Sequence, residues 1–157
     1  MIITCNTSEL NKAIQTAQKA ITSKPSTPIF SCLHLITCNG RLVIQGMDLN
    51  MAISCTIDAN ITEPGEIVVS AKHISELVRK LSAETVTISK NQENKTIKVA
   101  SGSAEYQLLL MNEDDYPKFP DFNGDKSITI ADDKIKELIR TTIFSCSNDE
   151  SRPLFTG

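Results

Sequence analysis

The chain has 157 residues, 40% of them hydrophobic and 22% charged, with a net charge of −3. That is a globular composition, long enough for one full domain and part of another, and its overall sign argues against a general attraction to nucleic acid. No run approaches the roughly 20 apolar residues that span a bilayer, and Met1 leads into a strand pattern instead of a secretion signal.

Residues 1–6 alternate and are β-branched, which predicts a strand. Residues 7–28 then read as an amphipathic helix and a proline-braked loop. Leu10, Ala13, Ile14, Ala17 and Ile21 recur at the spacing of one helix face, with Thr7 or Ser8 as the expected cap and Pro25 and Pro28 as stops. Its polar face carries Lys12 and Lys19, with Lys24 just beyond, against one acid, Glu9. Residues 28–38 predict a long strand closed by the hairpin dipeptide Asn39-Gly40, with 41–47 as its partner and 51–58 as a third strand. After a turn at 63–65, a strand at 66–70 feeds a second helix over 70–81, where Lys72, Arg79 and Lys80 face one acid, Glu76. Strands follow at 85–89, 96–100 and 104–111. Residues 112–126, rich in Pro, Asp and Asn, read as an exposed linker. From residue 127 a strand, a helix to about residue 146 and a polar turn are expected, and the chain stops in what reads as the next strand.

The strand–cap–helix unit recurs. A shift of 64 residues lays Leu10, Ala13, Ile14 and Ala17 on Ile74, Leu77, Val78 and Leu81; a shift of 125 lays Ile3, Cys5, Leu10, Ala13 and Ile14 on Ile128, Ile130, Ile135, Leu138 and Ile139. Identity between copies is low, so the repeat is one of pattern. Each half of the first 111 residues is then one strand, one helix and a three-strand meander, and the halves together predict an α+β domain with its helices on one face of antiparallel sheet. The third copy is short, which predicts a fragment of a longer protein.

Little in the chain suggests catalysis. Five cysteines in apolar runs, without a C-x-x-C, predict buried reduced thiols in a cytoplasmic protein. His34 and His73 lie in different elements with no partner at ligand spacing, and read as structural or solvated. The acids at 113–115 read as a solvated turn. The calcium-loop opening at Asp121, Asn123 and Asp125 is rejected, because Lys126 replaces the required glycine. Phosphate-cradling glycine motifs are absent, and no catalytic, metal or cofactor residue is assigned. What remains is charge distribution: acids gather outside the first two helices, and both helices are net basic. Lysines with few interleaved aromatics suit phosphate contact, not base reading. Two alternatives stand beside this, an ordinary solvated helix face and a small-molecule or enzymatic α+β domain using the linker carboxylates.

The recurring basic helices, the residues SKPSTPI after the first helix, Gly46-Met47-Asp48-Leu49, Val69-Ser70-Ala71-Lys72, Asp115-Tyr116-Pro117 and the closing SRPLFTG together resemble the bacterial DNA polymerase III beta subunit, the sliding clamp. The resemblance runs through the whole chain in order. It implies the DNA-clamp fold, with residues 1–122 as a complete first domain, 123–126 as linker and 127–157 as the start of a second. It also implies a cytoplasmic processivity factor without catalysis of its own. The full protein would be a head-to-tail homodimeric ring that encircles duplex DNA, with DNA polymerase III and clamp loader subunits as further partners and no membrane. Lys24 falls on a DNA-contacting position, and Lys12, Lys19, Lys72, Arg79 and Lys80 are expected to line the hole. Phe155 and Arg152 fall at the pocket for partner peptides, and Tyr106 and Leu108 at the subunit edge.

Overall fold

The computed structural model describes residues 1–21, 27–91, 93–120, 127–147, 149 and 151–156. It forms two compact units, residues 1–120 and 121–157.

In the first unit β1 (Ile2–Asn6) runs straight into α1 (Thr7–Ala17). The cap is Asn6, one residue ahead of the expected Thr7 or Ser8. Its backbone is extended, and its Oδ1 accepts from the Ser8 and Glu9 amides at 2.9 and 3.2 Å. Thr7 is instead the first helical residue, buried, with its amide donating to the Glu84 carbonyl. Leu10, Ala13, Ile14 and Ala17 are all buried, as their spacing predicts.

The expected strand at 28–38 starts late. Pro28–Ser31 is a 3-10 turn and β2 is Cys32–Cys38. Pro28 has no amide to give a ladder, and the Ser31 hydroxyl donates to its carbonyl at 2.6 Å, which favours the turn. β3 (Arg41–Met47) follows through Asn39 and Gly40, both at positive φ (50° and 76°), the geometry of the tight hairpin turn. β4 (Ala52–Glu63) outruns the expected 51–58 because it serves two partners. It pairs β3 through Asp58, then β1 from Ala59 onward.

The second half repeats the plan with β5 (Glu66–Ser70), α2 (Ala71–Arg79), β6 (Thr85–Asn91), β7 (Thr96–Ser101) and β8 (Ala104–Met111). The strands close into an antiparallel barrel in the order β1-β4-β3-β2-β5-β8-β7-β6. Each half contributes the same internal order, and the halves exchange pairings, β1 with β6 and β5 with β2. The sequence repeat is therefore a structural pseudo-two-fold. α1 packs on β3, β4 and α2, while α2 packs on β5 and β2. Their apolar faces join the buried strand residues Ile3, Leu33, Leu35, Leu42, Ile44, Ile67, Ile88 and Ile97 in one core. Gly46 is required for that seat, since a methyl there would collide with the Ala17 backbone carbonyl.

Residues 112–120 are only in part the exposed linker the composition predicts: Asn112, Asp114, Asp115, Lys118 and Pro120 are exposed, but the segment is anchored. A 3-10 turn (Glu113–Asp115) follows β8, and Tyr116 is buried against Ile29, Cys32, Met47 and Val68. The sequence run at 121, 123 and 125 lies outside the described residues. The second unit contains α3 (Asp132–Thr142) and short 3-10 turns at Ile143–Ser145 and Pro153–Phe155. The strand expected around Ile128 and Ile130 is not formed: residues 127–131 have no ladder partner among the described residues.

Candidate nucleic-acid interface

The site follows from how two amphipathic helices divide their faces. With Leu10, Ala13 and Ile14 turned into the core, α1 presents Glu9, Lys12, Gln15 and Thr16 to solvent, with Lys19 in the 3-10 turn just beyond. With Ile74, Leu77 and Val78 buried, α2 presents Lys72, His73, Glu76 and Arg79, with Lys80 just past its end. The helices pack against each other, so the two exposed faces are neighbours. Five cations stand there against two carboxylates.

Among the described residues, none of these five cations has an ion-pair partner. Three strand cations are neutralised: Arg41 by Asp58 at 2.9 Å, Lys90 by Glu113 at 2.6 Å and Lys98 by Glu105 at 2.7 Å. Among the described residues Lys95 and Lys118 also have no carboxylate partner, but they lie on a turn and in the segment after β8. Glu9 and Glu76 offset only part of the five cations' charge, so the helical surface carries a net positive field although the chain is acidic. Lysine suits loose contact with phosphates, being a hydrated point charge on a flexible stem. His73 shares this face with Lys72 and Arg79. It is exposed there, in keeping with the reading of a solvated histidine.

The other sequence-predicted residues fall as follows. Lys24 lies outside the described residues. Tyr106 and Leu108 share one side of β8, Tyr106 41% exposed and Leu108 half-buried. β8 pairs with β7 from Ala104 to Leu109 but meets β5 only at Leu110 and Met111. The other edge of 104–109 is therefore open. By the pseudo-symmetry β4 has the equivalent open edge at 52–58, which the sequence reading missed because a strand pattern does not reveal how many neighbours the strand has. Arg152 and Phe155 lie on one turn of the second unit, where the Phe155 amide donates to the Arg152 carbonyl at 3.0 Å; both are exposed.

Two cavities bear on the small-molecule alternative. One of about 200 Å³ is lined by Lys90, Lys95, Leu110, Met111 and Glu113, and one of about 320 Å³ by Asn6, Ser8, Asn11, Arg79 and Glu84 among others. The groups displaced from their ordinary protonation lie elsewhere. Burial pushes the Cys5 thiol up to about 11, raises Cys32 and Cys55, and pushes the Tyr116 phenol up to about 12. Hydrogen bonds from Ser151 lower Asp149. Raised thiols are inert, so this is not an activated nucleophile arrangement. Of the cysteines, only Cys5 and Cys32 are buried; Cys55 and Cys146 are half-buried and Cys38 at the hairpin is exposed, contrary to the expectation that all are buried. Among the described residues no three His, Cys, Asp or Glu side chains converge on a metal position.

The duplicated α+β barrel, with two helices carrying cations on adjoining faces, is the clamp fold. The comparisons agree. The model of the family "DNA polymerase III beta subunit, N-terminal domain" matches residues 1–120, and the chain belongs to that family. It is similar to the beta sliding clamp of Bacillus subtilis, 32% identical over 165 residues, covering 100% of this chain and 43% of the relative. The beta sliding clamp of Chlamydia muridarum is 26% identical and covers 95% of this chain and 40% of its own length. Among solved structures, the Bacillus subtilis sliding clamp superposes with a TM-score of 0.93 at 30% identity, over 98% of this chain and 42% of that one. A putative DNA polymerase III beta subunit from Eubacterium rectale gives 0.94 at 28%, over 100% and 42%. The chain thus spans about two fifths of the length of the relatives it matches.

Proposed function

We propose that this chain is the N-terminal part of a sliding clamp, a processivity factor that encircles duplex DNA without reading its sequence and tethers the replicative polymerase. The observation that carries the reading is the adjoining faces of α1 and α2, with five cations and, among the described residues, no ion pair. A sliding protein needs phosphate contacts that are weak, exchangeable and blind to sequence, and this surface has the chemistry for them. Lys12, Lys19, Lys72, Arg79 and Lys80 are the proposed contacts, joined by Lys24. Catalysis is not part of the proposal.

The open edges support a ring. The edge of β4 at 52–58 and that of β8 at 104–109 are different surfaces on pseudo-symmetric strands, so pairing between them is head-to-tail, the type that closes rings. Tyr106 and Leu108 lie at the proposed subunit edge of a homodimer. The domain division is proposed as 1–122, 123–126 and 127–157, with Arg152 and Phe155 contributing to a pocket for peptides of DNA polymerase III and of clamp loader subunits. A cytoplasmic location belongs to the same reading; no described helix is long and apolar enough to cross a membrane.

Fluorescence anisotropy with short duplexes of unrelated sequence tests the face directly. Binding is expected to be weak, equal across sequences and steeply weakened by salt, and Lys12→Glu with Lys72→Glu should abolish it. Lys98→Glu, on the sheet, should leave it unchanged. Equal loss from Lys98→Glu, or unchanged binding in the double variant, would remove the helical face from the account.

A further inference from the structure

β-strand alternation sends every second side chain of a barrel strand outward, where water usually reaches it, and β5 departs from that. In β5, Ile67, Val68 and Val69 are all buried, so both faces of the strand are covered. Val68 lies outward beside His34, its register partner on β2, and Cys32 and Met47 are outward and buried close by. Together with Ile29 and Phe30 of the 3-10 turn before β2, Tyr116 covers them. Its ring sits 4.9 Å from that of His34, and its hydroxyl donates to the Gln45 carbonyl at 3.4 Å. His34 is itself fixed by Glu66 at 2.8 Å. Three residues earlier, Glu113 accepts from Lys90 at 2.6 Å, and Lys90 also donates to the Glu66 carbonyl at 3.3 Å. The Tyr116 amide closes the turn on the Glu113 carbonyl at 3.0 Å. The strip on the sheet is thus a seat built for this chain's own residues 113–116.

The position of the seat matters. On its β7 side β8 is paired from Ala104 to Leu109, and the Leu110 amide still donates to the Lys95 carbonyl at 2.9 Å. On its other side it meets β5 only in the pairs at Leu110 and Met111, a few residues before the seat. Two pairs hold the β5 side weakly by themselves. We infer that Glu113 and Tyr116 form a latch that holds the C-terminal end of β8 on β5, and so keeps the open edge at 104–109 in place for a partner strand. Release of the latch is a local opening that loosens that edge while the rest of the barrel stays folded. Its meaning for ring closure rests on the clamp reading; the latch itself does not.

Amide hydrogen exchange on the 157-residue chain tests it without DNA. Tyr116→Ala should speed exchange across residues 104–117 by roughly tenfold or more, with the β2–β3 and β6 amides unchanged. Glu113→Gln, which keeps the ring packing, should move the same amides in the same direction by less. Faster exchange confined to 112–117 would show that the latch does not hold β8. An equal rise throughout the barrel would show that Tyr116 is only a packing residue. Either result overturns the proposal.

Discussion

α1 and α3 carry the same apolar pattern and end in opposite situations. Leu10 and Ile14 are fully buried, whereas their counterparts Ile135 and Ile139 are 38% and 52% exposed. Their charges differ in parallel. Lys12 and Lys19 are unpaired, whereas Lys134 bonds Glu137 at 2.9 Å and Lys136 bonds Asp132 at 2.7 Å on the same helix. The first helix sits on a closed barrel and is free to display charge; the third supports itself with short-range pairs. Periodicity marks which face of a helix is apolar. Whether that face is buried depends on the sheet beneath it.

The two helices should therefore answer differently to the same substitution. Leu10→Ala should destabilise the first unit by about 2–5 kcal/mol in urea unfolding, the cost of a cavity in a packed core. Leu138→Ala, at a half-exposed site, should change stability by about 0.5 kcal/mol or less. Similar values for both would erase the contrast.

Alkaline titration probes a different part of the packed unit. The Tyr116 phenol is held at about 12 in the folded state by burial, above its ordinary 10.0. Folding therefore favours the protonated form. That stabilisation is complete below pH 10 and is lost as the pH rises from 10 to 12. It amounts to at most about 3 kcal/mol. The test is the difference in unfolding free energy between the wild type and Tyr116→Phe across that range, which should shrink as pH rises. A difference independent of pH would mean that the phenol ionises freely in the folded chain.

The smallest effect concerns the helix ends. Asn6→Ala should cost about 1 kcal/mol by removing the cap of α1. α3 starts at Ala131 with no side-chain cap, so Ala131→Asn should raise its helicity, readable by circular dichroism.

Much of this fold was legible because its signals are local. Strand, cap, helix and hairpin are written within a few residues of each other, as at 3–17 and at Asn39-Gly40. The misses share a cause. The contact of His34 with Glu66, the two partners of β4 and the seat of Tyr116 all join residues far apart in sequence, and no local pattern encodes them. A tyrosine amid Asp and Pro looks like loop until Val68 and Met47 are seen waiting beneath it. The missing strand near Ile128 is the same lesson reversed, since a good strand pattern without a neighbour forms no ladder. The cationic faces were visible as spacing. That their cations lack partners was not, because pairing is decided across strands.

The central claim is that these residues belong to a ring that holds DNA by enclosing it. The most direct measurement places a ring-forming chain of the relatives' length, carrying these 157 residues, on nicked circular DNA with a clamp loader, and then linearises the DNA. Retention on circles with release from linear ends is the predicted result. Equal retention on both forms would mean ordinary affinity binding and would contradict the account.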